Sequence, residues 1–337
     1  MLRDRGIVPR LCYQAMLAAG IDGPAVYARL GVSVSALDNP RYSFCHKSLC
    51  RFWQVVEEVS GDPDVGFTIG RLLVSYRGEI FEYLFLSGPD FGTALRRFAD
   101  YGRLASDAWI GRLGEDGDGA YLVFGSKDEE VNRLRHNCDC FALGLLHFFR
   151  DVTEGEFAPS RVDFAYALPA DPAKRAAALG CPVRFDCAEN RLYFDPALLR
   201  RPSSHAADEI FRLHDQIARR RLHRIEAEEI VEAVQEALAA LPELSSVTIA
   251  TVAARMDLSE AQLQYRLEAA GTGFQRELDL YRRQLACRLL AETRHSIADI
   301  VQLTGFSEPA TFYRAFRRWE KDTPAGYRSR FQAARSA

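Results

Sequence analysis

Apolar positions in the last third of the chain recur in two similar segments. The first runs from residue 248 to residue 270 (TIATVAARMDLSEAQLQYRLEAA), and the second runs from residue 296 to residue 320 (SIADIVQLTGFSEPATFYRAFRRWE). In each segment, apolar residues three and four apart predict a short helix, a reversal and a second amphipathic helix. Ile249 of the first segment corresponds to Ile297 of the second, 48 residues later. The pattern therefore predicts a duplicated helix-turn-helix.

The residues at the two predicted reversals also correspond. Gly305 and Asp257 occupy matching positions, and both residue types adopt positive φ more readily than most. Ser259 and Ser307 follow, and we expect each to be the N-cap of the second helix of its unit. Pro309 would then lie in the first helical turn, where a missing N–H costs no hydrogen bond. Two such units on one polypeptide indicate a protein that occupies two successive major grooves of DNA.

Aromatic and basic residues share the second helix of the second unit. Phe312 and Phe316 are four residues apart and are expected to pack inward as a pair, which leaves the arginines of this helix on its other sides. An ordinary amphipathic helix with a solvated arginine face is the alternative, and the duplicated turn argues against it. From Arg294 to the C-terminus, eight Lys or Arg face four Asp or Glu, a local charge of +4, whereas the whole chain has a formal charge of −3. Basic charge is thus concentrated where a DNA-binding surface needs it.

Residues 296–331 (SIADIVQLTGFSEPATFYRAFRRWEKDTPAGYRSRF) resemble the C-terminal signature of AraC/XylS-type bacterial transcription regulators. The shared features are the GFS turn, the aromatic-rich second helix and the closing TPAGYR. The resemblance extends back through residues 278–292 (LDLYRRQLACRLLAE), which match the helix that joins the two units, to about Ile225. It implies an all-α DNA-binding domain in which the exposed residues of each second helix face base edges or phosphates.

Individual roles follow from the residue types at those positions. Arg314 can donate two hydrogen bonds to guanine, a contact worth about 1–3 kcal/mol of discrimination. Tyr265 departs from the family, which commonly has a basic residue there, and it would donate to a phosphate or touch a thymine methyl. The residues expected to position the protein on phosphates are Arg317, Arg318, Lys321 and Arg328. The complete predicted DNA-binding set is Ser259, Ala261, Gln262, Gln264, Tyr265, Ser307, Ala310, Thr311, Arg314, Arg317 and Arg318.

The first two hundred residues have the periodicity of an α+β domain rather than an all-β barrel. The fold class expected for the whole chain is mainly α with a small α+β portion, an α+β N-terminal domain followed by an all-α DNA-binding domain. The predicted helices are 9–19, 24–30, 46–60, 63–74, 79–87, 91–106, 130–151 and 172–179. The predicted strands are 109–113 and 120–124, joined as a hairpin by GEDGDG, and then 161–167, 183–185 and 191–194.

Three stretches of this half resemble the N-terminal effector domain of an AraC-type subgroup that includes arginine- and ornithine-responsive regulators. They are residues 60–67 (SGDPDVGF), 159–169 (PSRVDFAYALP) and 179–202 (LGCPVRFDCAENRLYFDPALLRRP). The resemblance implies a small-molecule sensor and names no ligand, so no effector-binding residue is assigned. The predicted domains are 1–205 for effector binding and dimerisation, 206–224 as a linker, and 225–334 for AraC-type DNA binding.

Two features of the N-terminal half have both a functional and a structural interpretation. His136 and Arg103 could bind an acidic head group or could be satisfied within the fold. A set of aromatic residues could line an apolar pocket for a fatty-acid-like effector, although aromatics at helical spacing usually form core. The aromatic set is Phe81, Tyr83, Phe85, Phe91, Tyr101, Phe141, Phe148 and Phe149.

The eight cysteines suit no common zinc pattern. Cys138 and Cys140 lie near His136 in a predicted helix, where residues two apart point to different sides and cannot close on one ion. Cys181 and Cys187 also lack zinc-site spacing. No apolar stretch approaches the roughly 18 residues of a membrane span, and the N-terminus lacks a signal-peptide core. We therefore expect a cytoplasmic protein with reduced thiols and without a metal or cofactor.

The region between the two domains carries an apolar stripe at alternating spacings of four and three. This stripe either forms a coiled-coil seam or packs the first helix of the DNA-binding domain against its own core. The cluster at residues 219–221 either contacts phosphates or forms a solvated face, and Gln264 either pairs with adenine or is an ordinary surface side chain. The stripe consists of Ala227, Val231, Val234, Leu238 and Leu241.

Three classes of function compete at this point. The preferred one is a transcription regulator and activator, not an enzyme, that binds promoter DNA and a small-molecule effector as a homodimer, with RNA polymerase as a further partner. A DNA-alkylation repair or sensor protein, with an AraC-like DNA-binding segment beside a zinc-bound cysteine, is the second class. An effector-free architectural DNA binder is the third, and an apolar cavity in the N-terminal half would count against it.

Overall fold

A computed structural model describes residues 2–39, 42–73, 76 and 78–334. The chain divides into two compact units, Met1–Leu222 and His223–Ala337. The first unit contains helices and two small sheets, and the second is built of helices within its described residues. The predicted fold class, an α+β domain followed by an all-α domain, is therefore confirmed.

The helices of the first unit begin where short acidic side chains can cap them. Asp90 and Asp171 accept hydrogen bonds from backbone amides three residues later, at 2.7 Å and 3.0 Å. Left-handed glycines, including Gly180 with φ +73°, end two of the helices. The helices are α1 (Ile7–Ala18), α2 (Gly23–Arg29), α3 (Ser48–Ser60), α4 (Val65–Gly70), α5 (Ile80–Ser87), α6 (Phe91–Tyr101), α7 (Glu129–Asn132), α8 (Arg135–Val152) and α9 (Pro172–Leu179).

Two sheets accompany these helices. A two-stranded ribbon pairs β1 (Arg3–Arg5) with β2 (Ser43–Cys45), and neither strand was predicted. The other sheet has five strands in the order β3-β4-β7-β5-β6, antiparallel except for the β5–β6 pair. Its strands are β3 (Trp109–Asp116), β4 (Gly119–Ser126), β5 (Pro159–Asp163), β6 (Val183–Arg184) and β7 (Arg191–Phe194).

Several predicted boundaries differ from those of the structure. The hairpin strands β3 and β4 continue through most of GEDGDG, because only Gly117 and Asp118 are needed for the two-residue turn. The predicted helix 130–151 is two helices, since Leu134 is extended between α7 and α8. The predicted helix 63–74 is shorter, and its last residue, Val74, lies outside the described residues.

The aromatic set proposed as pocket or core is mostly core. Phe81, Phe85, Phe148 and Phe149 are each 3% exposed or less. The last three pack edge-to-face or tilted against one another, and Phe81 packs edge-to-face against Phe98. Tyr83 is the exception, because it is 43% exposed. His136 is likewise satisfied within the fold.

The second unit repeats one arrangement twice. In the first repeat, Leu263 and Leu267 are buried, and in the second Phe312 and Phe316 are buried, each pair in a core of its own. One long helix, α13, contributes to both cores. The helices are α11 (Ile249–Arg255), α12 (Glu260–Ala269), α13 (Phe274–Glu292), α14 (Ile297–Leu303), α15 (Pro309–Glu320) and α16 (Pro324–Ala334).

Helix α10 (Asp208–Ala239) contains most of the stripe predicted between the domains. Val234 and Leu238 are buried in the core of the first repeat, beside Ile230, and Val231 and Leu241 pack against that core. The second interpretation of the stripe is therefore the correct one. Most of the predicted linker, 206–224, is helical, and the division into domains at residues 205 and 225 stays a prediction.

Candidate nucleic-acid interface

The two reversals have the backbone geometry that their residues predicted. Asp257 has φ +53° and Gly305 has φ +76°, so both are left-handed. Gly305 is constrained a second time, because a Cβ there would lie 2.4 Å from the carbonyl oxygen of Leu244. At the turn of the second repeat, only a residue without a Cβ fits both requirements.

Ser259 caps α12 as predicted. Its hydroxyl accepts a hydrogen bond from the amide of Gln262 at 3.2 Å, and the Gln262 side chain accepts one from the amide of Ser259 at 2.9 Å. This reciprocal pair is a capping box, which satisfies two amides at the start of the helix.

The predicted N-cap role of Ser307 is wrong. Helix α15 begins at Pro309 and its N-cap is Glu308, which makes no side-chain capping bond within the described part of the chain. Proline disfavours helical geometry in the residue before it and fixes its own φ, so the helix starts one residue later than the matched alignment suggested. The extra residue in the second repeat is therefore absorbed at the helix start.

Each second helix buries its apolar side and leaves the opposite side open. All eleven predicted DNA-binding residues are exposed, and Tyr265 is 73% exposed. Leu263 and Phe312, on the inner sides of α12 and α15, are fully buried. The structure thus places the predicted set on two outward surfaces of one compact unit, as docking into grooves requires.

Short contacts orient some of these side chains. A guanidinium nitrogen of Arg314 donates to the hydroxyl of Thr311 at 3.2 Å, and the Gln264 amide donates to Glu268 at 2.6 Å. Arg318 forms an ion pair with Asp279 of α13 at 3.0 Å. Such exposed pairs cost little to exchange for DNA contacts, since a surface ion pair is worth about 0–1 kcal/mol.

Arg328 has a partner within the fold, and the phosphate contact expected of it stays a prediction. Its guanidinium donates to the carbonyl oxygen of His295 at 2.6 Å, and the side chain is only partly exposed. The closing TPAGYR therefore contributes to the fold at this position by tying α16 to the segment before α14.

Arg282 of α13 joins the two repeats. Its guanidinium donates to the carbonyl oxygens of Leu244, before the first repeat, and of Gly305, at the turn of the second, at 3.0 Å and 3.2 Å. It also lies 5.1 Å from the ring centre of Phe306, and burial lowers its pKa. These contacts fix the turn of the second repeat relative to the first. The sequence did not identify Arg282, because nothing distinguishes it from the neighbouring Arg283.

The two second helices differ in charge. Helix α12 contains one Arg and two Glu, a formal charge of −1, whereas α15 contains three Arg and one Glu, a formal charge of +2. Because DNA binding depends on neutralising phosphates, α15 has the greater electrostatic attraction for a duplex.

His136 and Cys138, two of the residues considered for a metal, contact different neighbours. His136 contacts Glu57 at 2.9 Å, and the Cys138 thiol donates to the carbonyl oxygen of Asn132 at 3.2 Å. Burial raises the pKa of the Cys138 thiol far above its ordinary value, which opposes the thiolate that zinc binds. Across the described ranges, no group of three or more His, Cys, Asp or Glu is placed to hold a metal ion. The helices in those same ranges include none with the length and apolarity of a membrane span.

Comparison with known proteins agrees with this geometry. A family model described as the arabinose-binding domain of AraC transcription regulators, N-terminal, matches residues 20–203, and a helix-turn-helix model matches residues 252–330. The chain belongs to the AraC family of transcription regulators. It is a DNA-binding regulator whose N-terminal domain is of the effector-binding kind.

Individual relatives extend over most or about half of the chain. The ornithine utilization regulator of Pseudomonas aeruginosa is 26% identical over 92% of this chain and 91% of its own length. The regulator VirS of Mycobacterium tuberculosis is 31% identical over 52% of each chain. Among solved structures, the transcriptional regulator CdpR of Pseudomonas aeruginosa is similar over 90% of this chain and 95% of its own, with 20% identity and a TM-score of 0.44.

Proposed function

We propose that this regulator acts as an activator that inserts α12 and α15 into successive major grooves of promoter DNA. The observation that carries the proposal is the pair of exposed helices, each on a core to which α13 contributes, with Arg282 bound to Leu244 of the first core and to Gly305 of the second repeat. The proposed domains are 1–205, 206–224 and 225–334. Bacterial promoters are cytosolic, so this function implies a cytoplasmic protein.

Different parts of the exposed set have different roles in this proposal. Arg314 reads a guanine, because its guanidinium is exposed and can present two parallel donors. Arg317 and Arg318 neutralise phosphates, and Gln264 pairs with adenine once it releases Glu268. Tyr265 touches a thymine methyl or donates to a phosphate. The remaining residues of the set are small or cap a helix, and they allow or make close contact with the DNA backbone. They are Ser259, Ala261, Gln262, Ser307, Ala310 and Thr311.

The test is selection of bound fragments from a random duplex library by the full chain, followed by footprinting. We expect each protomer to protect two half-sites one helical turn apart on one face of the duplex. Binding to the selected site should weaken steeply as salt rises, because counterions are released. A single protected half-site, or equal affinity for all duplexes, would contradict the proposal.

Activation is tested separately with a reporter in which the selected site stands next to a promoter. We expect transcription to rise when the protein and its effector are present, through contact with RNA polymerase. Lower transcription from the same reporter would make the protein a repressor at that position and would leave the DNA-binding proposal intact.

We also propose a homodimer formed through the exposed side of α10. Ile210 and Leu213 are 48% and 50% exposed, while Ala218 on the other side of the helix is buried in the first unit. Glu209 and Arg220, near the two ends of this stripe, are both exposed. Antiparallel pairing of two copies would bring opposite charges together at each end of the apolar contact, as a two-fold interface allows.

Mass measurement by light scattering tests the dimer. Leu213→Glu should convert it to a monomer, whereas Leu17→Glu, at an equally exposed leucine of α1, should leave the mass unchanged. A Leu213→Glu protein of dimeric mass would exclude this interface.

One arrangement in the first unit has the residue types of a hydrolase. His46 lies between Asp4, at 2.8 Å from Nδ1, and Ser126, whose hydroxyl is 2.7 Å from Nε2. All three residues are 5% exposed or less, and the hydroxyl also accepts a hydrogen bond from the amide of Asp128. Because burial leaves a substrate no approach to the hydroxyl, we propose a structural role for this trio and no enzymatic activity. Labelling of Ser126 by a fluorophosphonate would overturn that proposal.

Neither alternative class of function is favoured. A repair protein needs a reactive cysteine, but burial raises the pKa of Cys138, and that of Cys181 to about 11. An effector-free architectural binder needs no cavity in its N-terminal domain, but this chain has one of about 250 Å³. One relative regulates ornithine utilization, so an amino acid is the first effector class to compare with the chemistry of that cavity.

A further inference from the structure

An apolar recess in the first unit lies among α1, α2, β2 and α3. It has a volume of about 250 Å³ and is partly open to solvent. Aromatic rings form much of its wall, with Tyr27 and Phe52 in edge-to-face contact and Tyr42 stacked on Phe44. Since an apolar cavity of about 150 Å³ can hold one benzene molecule, this one has room for about ten non-hydrogen atoms.

The charged groups at the cavity have a net positive charge. The described residues that line it include Arg51 and no carboxylate. The guanidinium of Arg51 contacts Glu58 at 3.3 Å, but that carboxylate also pairs with Arg29 at 3.5 Å. Two guanidinium groups thus share one carboxylate, which leaves a net positive charge beside the opening. The Tyr27 hydroxyl already donates to the carbonyl oxygen of Pro9, another residue that lines the cavity.

We propose that the effector is a compact aromatic monocarboxylate whose ring enters this cavity and whose carboxylate pairs with Arg51. The proposal rests on the regulator function and names the chemical class of its ligand. Size excludes a long-chain fatty acid from full burial. A diamino acid such as ornithine would place a charged ammonium where the lining residues of the described structure offer no carboxylate.

A chain of contacts also connects the cavity to the rest of the domain. Phe44, in its wall, pairs with Asp4 across the β1–β2 ribbon. Asp4 binds His46, and His46 binds Ser126 at the end of β4. A ligand packed on Phe44 therefore stabilises a ribbon that is tied to the five-stranded sheet, and it favours the state in which that ribbon is ordered.

The binding test uses the full chain, titrated calorimetrically with 3-phenylpropionate, 3-phenylpropan-1-ol, palmitate and L-ornithine. We expect the aromatic acid to bind most tightly and about tenfold more tightly than its alcohol, because an ion-paired hydrogen bond is lost with the carboxylate. Equal affinity for the acid and the alcohol would overturn the role of Arg51. Absence of binding by the acid, or tighter binding of palmitate or ornithine, would overturn the ligand class.

Matched variants locate the binding site. Val8→Trp fills the cavity from α1 and should abolish binding, whereas Leu17→Trp, on the same helix and 50% exposed, should not change it. Arg51→Gln should reduce the affinity for the acid about tenfold and leave the alcohol unaffected. Arg29→Gln, which leaves Glu58 to Arg51 alone, should weaken binding of the acid less than Arg51→Gln does and should also leave the alcohol unaffected. Because Arg51 is on the surface, its variant remains informative if Val8→Trp does not fold.

Two further readouts separate this inference from the proposed function. The acid should slow hydrogen exchange of the β1–β2 amides and change the affinity for the selected DNA site at least severalfold. Binding without any change in DNA affinity would show that the cavity is not the effector site. Failure of the chain to bind specific DNA both with and without the acid would instead refute the groove-docking proposal and leave the calorimetric result standing.

Discussion

The two helix-turn-helix repeats have the same backbone arrangement, but different residues stabilise the turn and the start of the second helix in each. Both have a left-handed residue at the reversal and two buried apolar side chains on the second helix. In the first repeat, the turn tolerates Asp257 and the capping box stabilises α12. In the second, Gly305 lies against Leu244, and Pro309 starts α15 without a side-chain cap among the described residues.

The exposed sides of the two helices differ even more. Helix α15 presents Arg314, Arg317 and Arg318, whereas Tyr265 and Gln264 stand on an acidic α12. The comparison indicates a division of labour on DNA. We propose that the second repeat supplies most of the electrostatic attraction and a guanine contact, and that the first adds neutral contacts at a distance fixed by α13 and Arg282.

The largest expected difference between the repeats concerns their turns. Gly305→Ala should lower the free energy of unfolding of the second unit by about 2–5 kcal/mol, because it adds left-handed strain to a clash with Leu244. Asp257→Ala should cost about 1 kcal/mol or less, since only the backbone preference changes. Calorimetric melting of the full chain measures both. Equal losses would show that the turns are equivalent.

DNA recognition should differ in the same direction. Arg314→Ala should weaken binding to the selected site by about 1–3 kcal/mol and relax preference at one base pair. Tyr265→Ala should cost less than about 1 kcal/mol, because it removes no charge. Arg314→Lys is the matched control, since it keeps the charge and loses the bidentate geometry. If Arg314→Ala weakened binding equally on random duplexes, the residue would be a phosphate anchor.

The connection between the repeats is tested at α13. Arg282→Met should destabilise the second unit by about 1–3 kcal/mol, because two carbonyl oxygens lose a charged donor. It should also reduce discrimination against sites whose half-sites are moved apart by one base pair. Arg283→Met, which removes a surface pair with Glu320, should cost less than about 1 kcal/mol. If Arg282→Met kept the same preference for half-site spacing, the apolar cores alone would fix the distance between the two repeats.

The smallest effect is expected from a substitution that makes the two repeats more alike in charge. Tyr265→Arg places a cation at an uncharged position of α12. The slope of log affinity against log salt should therefore steepen by about 0.9, and binding to random DNA should strengthen. Titrations at several salt concentrations measure the slope. An unchanged slope would show that position 265 does not reach a phosphate.

Local patterns allowed much of the fold to be predicted before the structure. The left-handed turns, the cap at Ser259 and the buried Phe312–Phe316 pair follow from residue type and spacing, which act over a few neighbouring residues. The same reasoning placed Ser307 wrongly, because a matched alignment ignored how Pro309 sets the helix start. It also missed the β1–β2 ribbon, whose three-residue strands are too short to show a period.

The sequence by itself determined the duplicated DNA-binding architecture and the exposure of its eleven candidate residues, because amphipathic periodicity specifies which side of a helix is buried. Only the tertiary structure decided that Arg282 binds both repeats and that Gly305 must lie against Leu244. It alone brought Asp4, His46 and Ser126 together and formed the cavity beside Arg51. These contacts join residues far apart in the chain, and packing rather than local propensity selects them.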